Sequence, residues 1–355
     1  MQSREYLLYI INSLQTGGAE VGMCRLLDGL DSKRYDVTVV SLNGYEDAIL
    51  AELPDWVEFV DLRLPAFPPR IVQLVPRIRR ADIIVGSLFH SVLIARGARV
   101  LNTEATIATW QHNSQFKNRH RKRLYGITNR FTDILLADSQ AVANFLAEQF
   151  GSSQNKIRTV PIAGIQPKNY SVIDHSGTED LTVGTVGSLT KQKNHHMILD
   201  IAAELSGDKF SFEIAGGGEL YDELLQKKDN MDLSHVTFHG TVDDIPTFLS
   251  TLDIYIQPSL YEGLCITVLE AMATGLPVVG SDVGGISQNV AHNKYGYLHE
   301  PHDRDSFVSS ITYLGKKPDI RQQFGENARE FVMDNYTQDV LVSEFERAVR
   351  APHLS

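Results

Sequence analysis

Residues 253–279 read DIYIQPSLYEGLCITVLEAMATGLPVV. Asp253–Gln257 is a short apolar run typical of a buried strand, and a glycine-containing turn leads from it into a predicted helix, Ile266–Thr274. Gly275 suits the position just after a helix, and Pro277–Ser281 predicts the next strand. A strand, a helix and a second strand in this order form a βαβ unit. The stretch therefore predicts a parallel α/β sheet with right-handed crossovers.

The same alternation of strand and helix extends over the whole chain. The predicted strands are rich in Val, Ile and Leu and lack strict apolar–polar alternation, which indicates sheets covered on both faces. In the first half these strands are Leu7–Ile11, Asp36–Leu42, Val57–Leu62, Asp82–Gly86, Ala105–Trp110 and Asp133–Ala137. In the second half they are Leu181–Val186, Phe210–Ala215, Val236–His239 and the two strands given above. Predicted helices between them include Ala19–Leu30, Ser139–Phe150 and Asn194–Leu205.

One segment, Pro161–Asp180, interrupts the alternation with prolines, glycines and polar residues, which is typical of a connection between domains. We therefore predict two Rossmann-like, doubly wound domains, residues 1–164 and 165–336, that face each other across a cleft. The helical tail Arg321–Arg350 is interrupted near Asn335. We expect its last part, about residues 337–355, to pack back on the first domain.

Bulk composition limits the functional classes. The chain has 355 residues and a formal net charge of -11, which makes nucleic acid an improbable partner because such binders present basic surfaces. The two cysteines, Cys24 and Cys265, allow at most one disulfide bridge and indicate a reducing compartment. No apolar run is long enough for a signal sequence or a membrane span. We expect a cytoplasmic protein, or one bound peripherally to the inner face of a membrane.

In each half of the chain, the loop after the first predicted strand could bind an anion. In Thr16–Glu20, Gly17 and Gly18 would let the backbone approach a ligand at the start of a helix, although a plain strand-to-helix turn fits equally well. In Gly187–Asn194, Lys193 could meet a phosphate as a point charge. The alternative for Lys193 is a solvated loop lysine.

Two glutamates border the predicted helix of the opening stretch. Glu262 lies in the turn before the helix, and Glu270 lies inside it. The free N–H groups at a helix start can hold a diphosphate or sugar hydroxyls, and Glu262 would sit beside such a ligand. The alternative is a pair of solvated carboxylates, but the apolar run after Glu270 makes that difficult for Glu270.

The pattern Asp253-x4-Pro-Ser-x-Tyr-Glu262-Gly, followed by Glu270-Ala-Met-Ala-x-Gly-x-Pro-Val-Val, resembles the signature of family-four retaining glycosyltransferases, in which seven residues lie between the two glutamates. The resemblance covers most of the chain, since further glycine turns, such as Gly216–Gly218 and Gly284-Gly285, occur in the family's order. It implies the GT-B fold and a retaining, hexosyl-type transferase whose donor is a UDP- or GDP-sugar.

The resemblance also implies roles for individual residues. Lys193 would contact the diphosphate, Glu270 the ribose hydroxyls and Glu262 a hydroxyl of the donor sugar. His112, after a predicted strand, matches a family histidine that faces the transferring sugar. The remaining donor contacts would come from Gly17, Gly18, Ser188 and the backbone amides of Gly263, Leu264, Cys265, Ile266, Thr267 and Val268. Ser188 stands where many relatives have Arg, and Gln288 where they commonly have Glu.

A mechanism without a metal ion or other cofactor follows from these roles, because Lys193 and the helix start would stabilise the negative charge that grows on the leaving diphosphate. The Asp303-Arg304-Asp305 sequence lies at a predicted helix start, so we predict that it caps this helix rather than binding a metal ion. Cys265 is expected to fill space rather than act as a nucleophile.

Other polar groups of the first half are candidates for the acceptor. His90 follows a strand end and could line the acceptor cleft. A basic run could bind the acceptor or an anionic membrane, or could be a solvated helix face; it comprises Lys117, Arg119, Arg121, Lys122 and Arg123. The acceptor would be a glycan or a lipid-linked molecule, as in surface polysaccharide biosynthesis. Two alternatives are a nucleotide-sugar epimerase on the same fold and a non-catalytic partner subunit.

Overall fold

The structure is a computed structural model that describes residues 4–63, 71–113, 116, 118–151, 154–174, 180–207 and 209–350. The chain divides into two compact units. Unit 1 comprises Met1–Gly164 together with Gln338–Ser355, and unit 2 comprises Ile165–Thr337. Each unit is built around one sheet in which every described strand pair is parallel.

Unit 1 contains a seven-stranded sheet in the order β3-β2-β1-β4-β5-β6-β7. The strands are β1 Glu5–Ile11, β2 Tyr35–Ser41, β3 Glu58–Asp61, β4 Ile83–Ser87, β5 Thr106–Gln111, β6 Ile134–Ala137 and β7 Ile157–Thr159. The helices are α1 Gly18–Gly29, α2 Asp47–Leu50, α3 Leu74–Arg80, α4 Phe89–Gly97, α5 Arg119–Thr128 and α6 Gln140–Phe150. Strand β1 is almost entirely buried, as expected for a central strand with helices on both faces of its sheet.

Unit 2 repeats this plan with a six-stranded sheet in the order β10-β9-β8-β11-β12-β13. Its strands are β8 Leu181–Val186, β9 Phe210–Ala215, β10 Val236–Gly240, β11 Ile254–Gln257, β12 Val278–Ser281 and β13 Gly296–His299. Its helices are α7 His195–Glu204, α8 Tyr221–Asn230, α9 Ile245–Leu249, α10 Ile266–Ala273, α11 Gly284–Asn289, α12 Arg304–Gly315 and α13 Pro318–Asn335. Gly275, with φ +85°, allows the chain to leave α10 and enter β12.

The last helix, α14 Gln338–Arg350, belongs to unit 1. Its Phe345 ring stacks on Trp110 of β5 at a centroid distance of 6.0 Å, and Glu346 pairs with Arg34 at 3.0 Å. No helix among the described residues is long and apolar enough to cross a membrane.

In both sheets the winding reverses between the first strand of the unit and its neighbour, that is, between β1 and β4 and between β8 and β11. Loops that leave such neighbouring strands diverge and open a crevice at the carboxyl edge of the sheet, where doubly wound folds bind their ligands. These two reversal points are therefore the places in each unit to examine for a site.

Candidate functional site

The reversal point of unit 2 brings a lysine and a glutamate together. Lys193 follows β8 and Glu262 follows β11, and Lys193 Nζ lies 2.8 Å from Glu262 Oε1. The Glu262 residue is only 5% exposed, so this is a buried ion pair. Because burying charges is costly, the two loops must be held firmly for such a pair to persist.

A chain of hydrogen bonds fixes the Glu262 carboxylate from the strand side. Ser259 donates to Glu262 Oε1 at 2.8 Å, and Gln257 donates its amide to Ser259 at 2.9 Å. Tyr255 in turn donates to Gln257 Oε1 at 3.1 Å. All of these side chains are buried, so the carboxylate oxygen is positioned before any ligand arrives.

The charge of Lys193 is favoured by its neighbours. Burial disfavours the ammonium, but the Glu262 carboxylate favours it, and the pKa of Lys193 is raised above its ordinary value. An ammonium has three N–H donors, so its bond to Glu262 leaves further donors for an anionic ligand. Burial raises the pKa of the Cys265 thiol to about 11, so it is a neutral thiol near pH 7 and not a nucleophile.

Helix α10 begins beside this pair. Its first turn is preceded by Cys265, whose φ of +59° is unusual for a residue with a side chain. A Cβ atom at Gly284 would lie 2.1 Å from the carbonyl oxygen of Glu262, so the backbone of α11 supports this loop at a distance that only glycine permits. The amide of Val268 donates to the Cys265 carbonyl at 3.1 Å. The amides of Ile266 and Thr267 precede it in the first turn of α10, where backbone N–H groups have no partner within the helix.

The second glutamate is also buried. Glu270 is 2% exposed and accepts a hydrogen bond from Tyr170 at 3.1 Å. It is therefore not a solvated surface carboxylate, which removes the simpler alternative for this residue. Ser188 lies in the loop after β8 but is exposed.

In unit 1 the first glycine loop is held by a carboxylate on either side. Glu46 accepts hydrogen bonds from the amide and the hydroxyl of Thr16, at 2.9 and 2.7 Å. Glu20, in the first turn of α1, is buried against Gly17, where an added Cβ would lie 2.6 Å from its carboxylate. Burial raises the pKa of Glu20, and His112 acts against that shift. Gly18 is exposed at the helix start.

His112 lies directly after β5, at the carboxyl edge of the unit 1 sheet. Its Nε2 is 2.8 Å from the Ser87 hydroxyl and its Nδ1 is 3.5 Å from Asp138 Oδ2. Its ring stacks on Trp110 at a centroid distance of 5.9 Å. The imidazole is thus fixed on three sides within unit 1.

The basic run divides between two directions. The Arg121 guanidinium lies 5.0 Å from the centre of the Phe89 ring, and Lys122 bonds to Gln149. His90 is largely exposed, but the part of its ring that is buried lowers its pKa, and the charge of Arg121 lowers that pKa further. The other members point outward: Arg119 and Arg123 lie on an exposed face of α5, hereafter the basic face, with His120, Leu124 and Ile127. Lys117 lies outside the described residues.

A model described as glycosyl transferases group 1 matches residues 169–331, and a model described as glycosyltransferase family 4 matches residues 16–163. Between them these matches span most of both units, including the Lys193 and Glu262 loops of unit 2. The chain is a family-four-type glycosyltransferase.

Relatives of this glycosyltransferase match either its full length or part of it. An uncharacterized glycosyltransferase of Haemophilus influenzae is 23% identical over 352 residues, which are 95% of this chain and 97% of the relative. An Escherichia coli UDP-Gal:alpha-D-GlcNAc-diphosphoundecaprenol alpha-1,3-galactosyltransferase is 33% identical over 132 residues, 36% of this chain and 34% of the relative. The crystal structure of HepE from Anabaena with UDP and glucose covers 98% of this chain and all of its own, at a TM-score of 0.86 and 18% identity. The glycosyltransferase therefore has the GT-B fold.

Four residues that contact the predicted site residues of the glycosyltransferase were not themselves predicted from the sequence. Tyr170 bonds to Glu270, Ser87 and Asp138 flank His112, and Glu20 lies under the first glycine loop. Ser87 and Asp138 each stand at or directly after the end of a buried strand. A polar residue at that position is the one sequence signal that could have identified them.

Other features of the glycosyltransferase lie away from these groups. Asp303 accepts hydrogen bonds from the Ser306 amide and hydroxyl at the start of α12, which confirms the predicted cap and lowers the pKa of Asp303.

In the described part of the chain, no three His, Cys, Asp or Glu side chains are grouped as in a metal site. A cavity of about 320 Å³ lies beside α13 and includes Gly275 and Arg329, but none of the predicted site residues.

Proposed function

We propose that this glycosyltransferase transfers a hexose from a UDP-sugar to a glycan or lipid-linked acceptor, with retention of the anomeric configuration and without a metal ion. The observation that carries this proposal is the buried pair of Lys193 and Glu262, 2.8 Å apart at the reversal point of unit 2 and beside the start of α10. Sites of this topology bind nucleotides, and a helix start with a nearby cation favours phosphate.

Each group has a physical task in this proposal. The bond between the anomeric carbon and the phosphate oxygen breaks, and negative charge grows on the UDP leaving group. Lys193 and the first amides of α10 stabilise that charge, and because they are already fixed they need no rearrangement. Glu262 orients a donor hydroxyl, and Glu270, held by Tyr170, binds the ribose. The acceptor hydroxyl adds to the same face of the sugar and passes its proton to the departing phosphate.

UDP is favoured over GDP by the similar proteins. HepE is described in complex with UDP and glucose, and the E. coli relative is named for UDP-Gal and a diphosphoundecaprenol-linked acceptor. By this likeness we propose that the acceptor is lipid-linked and that the product enters a surface polysaccharide. In unit 1 we assign Arg121 and His90 to the phosphate of the acceptor. We assign Gly17 and Gly18 to the phosphates of the donor.

The first test is thermal unfolding with UDP, GDP, ADP or CMP. A nucleotide at about a hundred times its dissociation constant should stabilise the protein by roughly 2.7 kcal/mol, or a few degrees. We expect this shift with UDP, in EDTA as well as without it, and we expect Lys193→Ala to abolish it while Lys227→Ala retains it. A shift with GDP alone would reassign the donor. No shift with any nucleotide would favour a non-catalytic partner subunit.

Stereochemistry needs a separate measurement. With a UDP-α-sugar and a lipid-linked acceptor, the anomeric proton of the product should show an α-linkage by NMR. A β-linked product would rule out retention. Conversion of the UDP-sugar to its epimer without any acceptor would instead support the epimerase alternative.

We also propose that the basic face binds an anionic membrane surface. Residues 117–130 contain six Lys or Arg and no Asp or Glu, in a chain of net charge -11. On the exposed face of α5, Leu124 is 44% and Ile127 68% exposed. Basic groups interleaved with exposed apolar ones match a lipid interface, where each cation near the surface adds about 1 kcal/mol of attraction to anionic lipid.

Vesicle flotation tests the membrane proposal. The protein should float with vesicles rich in phosphatidylglycerol at low salt and remain behind with pure phosphatidylcholine. The pair Arg119→Gln/Arg123→Gln should lose binding. Val100→Gln, which removes an apolar side chain that is 82% exposed elsewhere in unit 1, should keep it. Equal flotation of all three proteins would assign binding to another surface, and no flotation of any would end the proposal.

A further inference from the structure

Three polar side chains meet at the carboxyl edge of unit 1. Ser87 ends β4, His112 directly follows β5 and Asp138 directly follows β6. The registers Ser87↔Trp110 and Gln111↔Ala137 align these three neighbouring strands, so their last residues lie side by side. We propose that Asp138 is a positioning residue that, with Ser87, holds His112 with a proton on Nδ1. This inference rests on the proposed function, in which His112 faces the transferring sugar.

The two neighbours differ in what they can accept or donate. A carboxylate only accepts hydrogen bonds, so the ring nitrogen that faces Asp138 is stabilised when it carries a proton. A serine hydroxyl can donate or accept, so Ser87 can donate to a bare Nε2, from which it lies 2.8 Å. The opposite tautomer would direct the Nδ1 lone pair at a carboxylate oxygen 3.5 Å away. The pair of neighbours therefore selects one tautomer.

Burial strengthens this selection. The side chain of His112 is 11% exposed and that of Asp138 4%, so water screens the interaction only weakly. Among the described residues, the carboxyl group of Glu20 in α1 also interacts electrostatically with the ring. The 3.5 Å separation is longer than a hydrogen bond of about 2.9 Å, and such contacts in unliganded sites commonly shorten when substrate binds.

The arrangement predicts a division of labour. Within unit 1 the Ser87 hydroxyl bonds to Nε2 of His112 and Asp138 faces Nδ1 at 3.5 Å, so the imidazole offers the sugar a fixed edge rather than a mobile donor. The nucleotide contacts assigned above, Lys193 and Glu270, belong to unit 2. Loss of Asp138 should therefore slow the transfer step and leave nucleotide binding intact.

Nitrogen NMR of the full-length protein labelled with ¹⁵N-histidine tests the tautomer directly, with the His112 signals assigned by their loss in His112→Gln. We expect a protonated, pyrrole-type Nδ1 in the wild type and in Ser87→Ala, and an unprotonated, pyridine-type Nδ1 in Asp138→Asn. The Asn amide can donate to Nδ1, which forces the proton onto Nε2. A pyridine-type Nδ1 in the wild type, or no change in Asp138→Asn, would overturn the proposal.

A matched carboxylate at the other end of the same strand controls for structural damage. Asp133 precedes β6, where it accepts from the Ile107 amide at 2.7 Å and pairs with Arg99. Asp138→Asn should lower kcat about 100-fold, the scale of a misplaced reacting group, and keep the melting shift caused by UDP. Asp133→Asn should change neither the tautomer nor kcat. Full kcat in Asp138→Asn would refute the positioning role.

The two proposals fail in distinguishable ways. If UDP stabilises neither the wild type nor any variant, the donor site is refuted while the NMR result still decides the tautomer. If UDP binds and sugar is transferred, but the His112 tautomer does not depend on Asp138, the positioning role alone fails.

Discussion

The two reversal points occupy the same place in the same topology, yet they are built from different chemistry. In unit 2 the loops after β8 and β11 meet through a buried cation and carboxylate, Lys193 and Glu262. In unit 1 the loop after β1 meets α4 through an uncharged pair, because Asn12 Oδ1 accepts from the Ser91 amide at 3.0 Å and its hydroxyl at 2.7 Å. Each reversal point thus has a polar contact across it, neutral in unit 1 and charged in unit 2.

The difference has a functional meaning. A neutral contact such as Asn12–Ser91 joins two loops at little desolvation cost, whereas an ion pair of similar burial is often no more stabilising than an apolar contact. Stability alone therefore does not explain why unit 2 holds a lysine and a glutamate. Their presence is what we expect if unit 2 must present a fixed charge to a diphosphate.

Removing the lysine should produce the largest change in stability. Lys193→Ala leaves Glu262 buried without its counter-ion, and breaking such a pair costs about 3–5 kcal/mol. Hydrogen exchange at β8 and β11 should report this loss in unit 2. Both tryptophans, Trp56 and Trp110, lie in unit 1, so their fluorescence follows the other unit.

A partly exposed ion pair of the same unit is the control. Lys227 lies 2.6 Å from Asp200, with the two side chains 27% and 42% exposed. Lys227→Ala should cost at most about 1 kcal/mol, as is usual for exposed pairs. If Lys193→Ala is no more destabilising than Lys227→Ala, the buried pair does not have the strength that distinguishes the two reversal points.

The two units also differ in how they bury a histidine. His112 has one hydrogen bond, between its Nε2 and Ser87, and Asp138 faces its Nδ1, whereas both ring nitrogens of the fully buried His195 lack a hydrogen-bond partner among the described residues. Burial and the charge of Lys193 lower the pKa of His195 from 6.5 to about 3. His195 is therefore neutral in the folded protein over a range in which the unfolded chain takes up a proton.

The free energy of unfolding should consequently decrease as the pH is lowered below 6.5. Between pH 6.5 and about 3 the unfolded state binds more protons at this site, which costs about 1.4 kcal/mol per pH unit, or about 2 kcal/mol from pH 6.5 to 5. Denaturation of unit 2 across this range measures the slope. His195→Leu should remove this part of the slope, while the exposed His302→Leu should retain it. An unchanged slope in His195→Leu would show that the ring is protonated or solvated in the fold.

Most of the fold follows from the hydrophobic pattern. The predicted strands Leu181–Val186 and Phe210–Ala215 match β8 and β9, because buried parallel strands form continuous apolar runs that stand out from their surroundings. The edge strands β7 and β13 were missed. They contain only Ile157–Thr159 and Gly296–His299, where short length and polar residues hide them, and only the neighbouring strand completes their hydrogen bonding.

The site was predictable only as separate parts. The motifs identify Lys193 and Glu262 individually, but their contact spans 69 positions and arises because the order of strands places β8 beside β11. Asp138 carries only the weak signal of a polar residue directly after a strand, and Tyr170, in the linker, carries none. Their partners are determined by the tertiary structure, which single-sequence reasoning does not reach.

The smallest predicted effect concerns strain in the two reversal-point loops. The loop after β4 contains Leu88, with φ 72° and ψ 163°, and the loop after β11 contains Cys265, with φ 59° and ψ 73°. Leu88 occupies a region open almost only to glycine, which costs about 1–3 kcal/mol. Cys265 is in the left-handed region, which costs other residues about 1–2 kcal/mol.

Comparing glycine with alanine at each position isolates this strain, because both variants lose the side chain. Glycine relieves the strain at Leu88, but its greater freedom in the unfolded chain costs about 0.5–1 kcal/mol. The net result should be that Leu88→Gly is more stable than Leu88→Ala by about 1 kcal/mol. Cys265→Gly should exceed Cys265→Ala by only about 0.5 kcal/mol. Tryptophan fluorescence during denaturation measures the first difference, and hydrogen exchange at α10 the second. If alanine equals glycine at Leu88, the loop relaxes without strain, and its unusual backbone is then not a feature that the two reversal points share.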